Sequence, residues 1–397
     1  MNIKLMKLEL KNLSLYSNNA LEIDFFAEKR VYEHEKDNFV VSNLFNHIHK
    51  LNNMALVGIN ATGKTTTLNI ILDILKIYIQ NKSLSDSENL SPNFDSTLEV
   101  VNTLTDGENI YRIESTIEKD ELGFLYFGEE FLYIKKITSS LTKKDALVFS
   151  EDDKVHIRSE MDNEFLKDED SIFSGVLNNF SHQRTHFIMD TMRFTNFNFL
   201  GFFSDNIPLS FVNYLDPSIE DFRIIVNEKK KLDPHFGITF ANSEEEIKAD
   251  IMELEKYLSS GTIKGINILF NAMVVLQSGG YLLVDEIENH LNKSIVINLI
   301  NLFTSKINKN GATLIFTTHY TEVLDSIERS DSIYVLRKEK KIAINKFSDL
   351  AKDKDRQDKK KSDLLLSGAI NTSPNYFSYM NLIKDLQKQI EKEKENN

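Results

Sequence analysis

A glycine-rich loop early in the chain has the composition and the neighbours of a phosphate-binding loop. It lies between an apolar run at residues 54–57 and a stretch of helical spacing at residues 68–75. A strand, a glycine loop and a helix in this order form a P-loop, in which backbone N–H groups and the positive end of the helix dipole face the phosphates. The sequence therefore predicts a nucleotide-binding loop made of Gly58, Ile59, Asn60, Ala61, Thr62, Gly63, Lys64, Thr65 and Thr66.

Two side chains of this loop are expected to contact the ligand directly. In a P-loop, the position of Lys64 reaches the β- and γ-phosphates, and the hydroxyl of Thr65 binds Mg²⁺. We therefore expect ATP and Mg²⁺ as cofactors, with Lys64 as a catalytic residue and Thr65 as a metal ligand.

An acidic pair closes a second apolar run, at residues 281–284. Asp285 would bind Mg²⁺, directly or through water, and Glu286 would polarise the attacking water as a general base. Acidic pairs are common at strand ends, but a P-loop upstream makes this pair a specific signal for a Walker B motif.

Two more features narrow the class of protein. Ser259 and Gly261 belong to a short loop, LSSGT, that directly precedes an apolar helical pattern, and His319 follows the next strand-like run after the acidic pair. The order of P-loop, serine–glycine loop, acidic pair and histidine resembles that of the ABC ATPase superfamily. This resemblance implies that Ser259 and Gly261 bind the γ-phosphate of ATP, that His319 is the catalytic switch histidine, and that two copies form a head-to-tail homodimer around two ATP–Mg²⁺.

The sequence departs from the ABC pattern in a few places. Ala61 replaces a usual glycine of the P-loop, LSSGT stands where transporters favour LSGGQ, and Asn292 stands where the D-loop usually has an aspartate. Coupling within the dimer is therefore expected to differ in detail. Gln183 is the candidate for the Q-loop glutamine.

A longer string is similar to one group within this superfamily. Residues 281–291, YLLVDEIENHL, followed by TTH at residues 317–319, look like the OLD, RloA and AbiLi kind of AAA-family ATPase, and residues 356–369 resemble the tail of RloA-like proteins. OLD proteins carry a Toprim nuclease, but the roughly fifty residues after the ATPase core have no acidic pair on an apolar strand, so we expect no nuclease here. RloA- and AbiLi-like proteins act beside a separate effector in phage defence, which implies such a partner, for example a nuclease.

Other functions stay open. A transporter domain is not favoured, because 221 positions separate Lys64 from Asp285, and an SMC head is not favoured, because the insertion lacks long heptads. A RecF-like DNA-repair clamp has a similar length and no long coiled coil, and it is the main alternative. A scaffold that binds ATP and barely hydrolyses it is a further one.

The distribution of charge bears on the choice of partner. The 397 residues carry a net charge of −13, which argues against a nucleic-acid interface over the whole surface. Residues 337–363 hold eleven Lys and Arg against six Asp and Glu, an excess of five positive charges that leaves −18 on the rest. This stretch is interpreted as a solvated, flexible basic tail, or alternatively as a contact for nucleic acid or an acidic protein.

Composition also limits the location and the cofactors. No apolar run reaches 18 residues, so we expect no transmembrane helix and no membrane partner. The absence of cysteine excludes disulfides and thiolate metal sites and fits a cytoplasmic protein.

The elements that must position these residues can be read from periodicity. Alternating runs between residues 97 and 157 predict antiparallel strands, residues 163–203 a helical region, and residues 243–256 an acidic helix. From residue 263 to residue 319 helices and strands alternate, which is typical of a mainly parallel sheet covered by helices.

We therefore predict an α/β protein, in which a P-loop ABC ATPase head with a mainly parallel sheet carries an inserted antiparallel β and helical subdomain. The predicted division is residues 1–80 (head with Walker A), 81–215 (insertion), 216–347 (head with signature, Walker B and switch histidine) and 348–397 (charged C-terminal tail).

Overall fold

Two six-stranded sheets, one three-stranded sheet and one hairpin form the framework of the computed structural model, which describes residues 3–161, 166–179, 187–192, 207–225, 235–243, 245–338, 340–351, 360–366 and 376–395. The strands are β1 (Lys4–Lys11), β2 (Ala20–Asp24), β3 (Val41–Phe45), β4 (Ile48–Leu51), β5 (Asn53–Val57), β6 (Thr97–Thr105), β7 (Asn109–Lys119), β8 (Leu125–Lys136), β9 (Lys154–Ile157), β10 (Ile188–Asp190), β11 (Ile219–Ile225), β12 (His235–Phe240), β13 (Ile247–Asp250), β14 (Tyr281–Val284), β15 (Thr313–Thr318), β16 (Ile333–Lys338) and β17 (Ile342–Lys346). The helices are α1 (Glu33–Asp37), α2 (Lys64–Gln80), α3 (Lys143–Ala146), α4 (Ser174–Asn179), α5 (Leu209–Leu215), α6 (Leu254–Tyr257), α7 (Ser260–Ser278), α8 (Lys293–Phe303), α9 (Phe347–Leu350), α10 (Lys361–Leu366) and α11 (Tyr376–Glu395).

The mainly parallel sheet determines where the candidate residues lie. Its strand order is β10-β14-β15-β5-β16-β17, and every pair is parallel except β16 with β17. Because the carboxyl ends of parallel strands meet at one edge, the segments that follow β5, β14 and β15 converge there. These segments are the P-loop, the acidic pair and the turn that contains His319.

Both faces of this sheet are buried, which explains why its strands read as continuous apolar runs. In β5, Met54 and Leu56 join one core while Ala55 and Val57 join the other. The second core also includes residues of α7, α8 and α10. The alternation of side chains along each strand therefore fixes which helices cover which face.

Helix α2 lies between the two large sheets. Twelve of its seventeen residues are buried, and its apolar side chains share one core with β1, β6 and β7 of the antiparallel sheet and with β14 and β16 of the parallel sheet. Near its C-terminal end the Tyr78 hydroxyl donates to Ser115 of β7 at 3.0 Å. Contacts along most of its length thus hold the helix that begins at Lys64.

The α/β fold class is confirmed, with both parallel and antiparallel sheets. The antiparallel sheet has the order β2-β1-β6-β7-β8-β9. Because β1 pairs with β6, the strands after residue 81 extend a sheet that the N-terminal strands begin. The predicted division of the chain into four segments stays a prediction.

Several local expectations are wrong. Residues 243–256 were predicted to form an acidic helix, but they contain strand β13 and the short helix α6. Ile247 and Ile251 pack in the apolar core that also contains residues of α7, and Ala249 between them is fully buried. This period of two overrides the helix propensity of the glutamates. In the stretch from 146 to 157 only β9 is a strand.

The region predicted as helical, residues 163–203, contains α4 and also strand β10, which pairs in parallel with β14. Residues 162–165, 180–186 and 193–206 lie outside the described residues, and Gln183, the candidate for the Q-loop, is among them.

The basic stretch is folded in much of its described part, so its interpretation as a solvated tail is wrong there. Strands β16 and β17 form an edge hairpin of the parallel sheet, in which Lys346 forms ion pairs with Asp24 and, at 2.7 Å, with Glu28. After residues 352–359, which are not described, the Ser362 hydroxyl donates to Asp325 at 2.6 Å, and α10 buries Leu365.

The last helix, α11, is exposed over most of its described side chains, as expected for a charged surface helix. None of the described helices is long and apolar enough to cross a membrane.

The packing of α10 predicts that two leucines near the C-terminus contribute differently to stability. Leu365 is fully buried, whereas Leu386 of α11 is 48% exposed. We expect Leu365→Ala to lower the free energy of unfolding by about 2–5 kcal/mol, because it leaves a cavity in the core. The matched change Leu386→Ala is expected to stay within about 0.5 kcal/mol of wild type. Urea unfolding measures both; equal small effects would show that α10 does not pack into the second core.

Candidate functional site

The P-loop leaves β5 after Val57 and enters α2 at Lys64, and its backbone conformation explains its residue types. Gly63 has φ +90°, and a Cβ there would lie 2.3 Å from Cδ1 of Ile342, a residue of β17. Ala61, which replaces a usual glycine, also has a positive φ of +62°. This left-handed conformation costs roughly 1–2 kcal/mol for a residue with a Cβ.

Two threonine hydroxyls brace the loop, and one of them also contacts the N-terminal segment. Thr62 donates to the carbonyl of Ile59 at 2.8 Å, inside the loop. Thr67 donates to the carbonyl of Gly63 at 2.9 Å, and its oxygen lies 2.7 Å from the hydroxyl of the buried Tyr16. Asn60, Ala61 and Thr65 are exposed and Thr66 is half-buried, so this side of the loop is accessible to a ligand.

Lys64 is buried beneath the loop and contacts His319. Its Nζ donates to the carbonyls of Gly58 and Ile59 at 2.9 and 3.0 Å and lies 3.3 Å from Nδ1 of His319. Burial lowers the pKa of Lys64, while the charge of Asp285 acts in the opposite direction. A cation held under a glycine loop is suited to bind a phosphate anion.

The carboxylate of Asp285 connects the P-loop helix to the strand beside it. It accepts a hydrogen bond from Thr65 at 2.8 Å and another from Thr317 of β15 at 2.6 Å. A hydroxyl and a carboxylate side by side are hard oxygen ligands, the kind that Mg²⁺ prefers. No group of three or more His, Cys, Asp or Glu that could hold a metal is found in the described ranges, and a protein commonly binds Mg²⁺ through one or two oxygens, with water and phosphate completing the shell.

Glu286 follows in a left-handed conformation, with φ +45°. Its N–H donates to Thr317 at 2.7 Å, and its carbonyl accepts from Lys264 of α7 at 3.0 Å. The side chain is 47% exposed, with Oε1 3.5 Å from Nε2 of His319. A carboxylate with access to water beside an imidazole can accept a proton from a water molecule.

Ser259 and Gly261 lie at the exposed N-terminal end of α7. Ser259 caps this helix by accepting from the N–H of Thr262 at 3.0 Å. A Cβ on Gly261 would lie 2.4 Å from the carbonyl of His290, so the helix end packs directly on the segment after the acidic pair. Within the described part of the chain, the side-chain hydrogen bonds of Ser259 go to Thr262 and none goes to the P-loop.

The structure thus brings Lys64, Thr65, Asp285, Glu286 and His319 into one cluster, and it does not bring Ser259 and Gly261 of the same chain into contact with it. The catalytic, nucleotide-binding and metal-binding roles of all these residues stay predictions.

Three residues of the site were not predicted. Thr317 supports both acidic residues, and the buried Glu288 accepts the N–H of His319. Both belong to strings that carried the family resemblance, but their roles depend on tertiary contacts. Lys264 is buried in α7, and the signal that could have found it is a charged residue on an otherwise apolar helix. Burial lowers its pKa, and the carboxylates of the acidic string oppose that shift.

Residues 54–325 match the model of a protein family described as "AAA domain, putative AbiEii toxin, Type IV TA system". No curated protein matches the sequence of this chain.

Among solved structures, the chain is similar to an SMC head bound to the C-winged helix domain of ScpA, with 15% identity, a TM-score of 0.44, and coverage of 88% of this chain and 99% of that one. It is also similar to the SMC head domain from Thermotoga maritima, with 14% identity, a TM-score of 0.41, and coverage of 87% and 99%. The recombination mediator protein RecF with ATPrS shares 10% identity, with a TM-score of 0.36 and coverage of 87% and 98%. Similarities of this size do not indicate a shared function.

Two threonines of β15 allow a test of the cluster. Thr317→Val keeps the shape but leaves Asp285 and the N–H of Glu286 without the hydroxyl, so we expect ATP hydrolysis to fall about tenfold or more. The matched control is Thr313→Val, because that buried hydroxyl, at the other end of the strand, donates to Leu51 at 2.9 Å. The control should lower the unfolding free energy by about 1–3 kcal/mol without reducing hydrolysis per folded chain. Equal turnover in Thr317→Val and Thr313→Val would show that the Thr317 hydroxyl does not contribute to hydrolysis.

Proposed function

The chain belongs to the AAA-domain family that residues 54–325 match, and we propose that it is an ABC-type ATPase that binds and hydrolyses ATP with Mg²⁺ as a homodimer. The observation that carries the proposal is the hydrogen bond from Thr65 of the P-loop to Asp285, at 2.8 Å. It joins the two motifs that an ATP–Mg²⁺ site requires.

Each residue of the cluster has a role in this proposal. The loop N–H groups and Lys64 bind the β- and γ-phosphates, and Thr65 with Asp285 holds Mg²⁺. When bound, Mg²⁺ neutralises the phosphate charge that develops during transfer. Glu286 accepts the proton of the attacking water, and His319, 3.5 Å from it, donates a hydrogen bond to the γ-phosphate.

The exposed loop LSSGT at residues 258–262, called the signature loop below, is evidence for the proposed dimer. A serine hydroxyl and the free N–H groups at the start of a nineteen-residue helix are a suitable site for an anion. Since Ser259 and Gly261 of one chain make no contact with the P-loop of that chain, we propose that they complete the ATP site of a second copy.

We further propose that the nucleotide state of the dimer holds or releases a separate effector protein, such as a nuclease, in antiviral defence. The similarity of residues 281–291 to OLD, RloA and AbiLi proteins supports this assignment. The family description, which names a toxin–antitoxin system, fits a protein that acts together with a second one.

Capture of the effector tests this part of the proposal. The full chain is purified by an affinity tag from its native host with ATP–Mg²⁺ or without nucleotide, and bound proteins are identified by mass spectrometry. We expect one protein whose recovery changes with nucleotide and is lost with Lys64→Ala. Recovery of no such protein, together with duplex DNA binding that falls steeply with salt, would support the RecF-like clamp instead.

The role of Glu286 gives a direct prediction. Glu286→Gln keeps the size of the side chain but cannot accept the proton, so it should bind ATP and lose turnover by about two to four orders of magnitude. The variant should also accumulate as an ATP-bound dimer, measurable by size-exclusion chromatography with light scattering. Wild-type turnover in Glu286→Gln would show that the Walker B assignment is wrong.

Sharing of sites between copies gives a second prediction. Lys64→Ala removes the phosphate contact, and Gly261→Asp places a carboxylate against the carbonyl of His290 and near the partner's nucleotide. A mixture of the two variants forms heterodimers with one intact composite site. Measurable ATPase in the mixture, when each variant alone is inactive, is the expected result; activity that equals the average of the two homodimers would contradict sharing.

A further inference from the structure

Lys264 is a buried, charged residue in the otherwise apolar helix α7. It is 4% exposed, in the first turns of α7, among apolar neighbours such as Ile263 and Ile266. Burying an ammonium group is costly unless it is paired and hydrogen-bonded. Its ammonium group donates to the carbonyl of Glu286 at 3.0 Å.

The electrostatic surroundings of Lys264 are the acidic string itself. The carboxylates of Asp285, Glu286 and Glu288 all interact with its charge. Three acidic residues within four positions repel one another, and a single buried cation beside them reduces this repulsion. Lys264 thus stabilises the segment that contains the proposed general base.

The backbone of Glu286 is held from two sides. Its N–H donates to Thr317 of β15, and its carbonyl accepts from Lys264 of α7. Glu286 has φ +45°, a conformation that residues with a Cβ adopt only when surrounding contacts impose it. The direction of its side chain therefore depends on the position of α7.

Helix α7 also begins at the signature loop. Ser259 caps it, and Lys264 lies five positions further, roughly 7.5 Å along the helix axis. A helix transmits a displacement of its end over such a distance as a rigid unit. A displacement of Ser259 is thus transmitted to the carbonyl of Glu286 through helix α7 and the hydrogen bond from Lys264.

We infer that Lys264 is a positioning residue that couples the signature loop to Glu286 of the same chain, so that engagement of Ser259 and Gly261 with the partner's nucleotide orients the general base. This inference rests on the proposed ATPase function. It makes hydrolysis in one site depend on nucleotide in the other, because each signature loop acts on the general base of its own chain. In the mixture of Lys64→Ala and Gly261→Asp, the general base of the one intact site lies on the chain with Gly261→Asp, so this site should be active but about ten- to hundredfold slower than a wild-type site.

Substitutions at Lys264 in the full-length dimer test the coupling. Lys264→Met removes the donor while keeping the length, and we expect kcat for ATP to fall about ten- to hundredfold with KM changed by no more than about threefold. Lys264→Arg, which keeps a charged donor, should recover most of kcat. The matched control is Lys256→Met, on α6, since that lysine is 64% exposed and pairs with Glu253; its kcat should equal that of wild type.

A second measurement distinguishes a role of Lys264 in orienting Glu286 from a role in forming the dimer. The double variant Lys264→Met, Glu286→Gln should accumulate as an ATP-bound dimer as fully as Glu286→Gln alone, because Lys264 acts after the signature loop has engaged. If Lys264→Met does not fold, Lys264→Gln takes its place, with an expected loss of kcat of about threefold or more and an unchanged KM. A folded variant with the kcat of wild type, or a loss that Lys264→Arg does not recover, would overturn the inference. A wild-type protein without ATP turnover would instead overturn the proposed function.

Discussion

The carboxylate of Asp285 accepts hydrogen bonds from two threonines that belong to different elements, and the geometry of the site depends on this pair. Thr65 comes from the start of α2, and Thr317 comes from the end of β15. Thr317 also accepts the N–H of Glu286, so one hydroxyl fixes both acidic residues. These hydrogen bonds orient the carboxylate of Asp285 and the backbone of Glu286 at the end of the strand. The oxygens of Asp285 and Thr65 are also the ones available to a magnesium ion.

This pair can form only because the sheet and α2 are already placed by apolar packing. Alternate side chains of β5 and β14 enter different cores, one with α2 and the antiparallel sheet, the other with α7 and α8. Burial of both faces leaves the carboxyl edge of the sheet as the place where polar side chains converge. The hydrophobic pattern therefore sets the positions, and hydrogen bonds of about 1 kcal/mol each then select the orientation of a few side chains.

Residues of fixed type in fixed order were recognisable from the sequence: the P-loop, the acidic pair and His319 follow strands whose apolar runs are unambiguous. The contacts of Thr317 and Lys264 with the acidic pair were not, because they depend on which side chain packs beside Glu286 in three dimensions. The strand at Ile247–Asp250 was missed because adjacent glutamates favour a helix while a core contact requires a strand. Pairing of β1 with β6 could not be inferred either, since nearly ninety residues separate them and the alternating pattern of both fits any antiparallel neighbour.

The proposed role of this cluster is the binding of ATP and Mg²⁺. The most direct measurement is isothermal titration of ATP into the full-length chain, with magnesium and with EDTA, for wild type and Lys64→Ala. We expect saturable binding of one ATP per chain, weakened about tenfold or more by EDTA and by Lys64→Ala. No binding to wild type, or the same affinity in all three conditions, would contradict it.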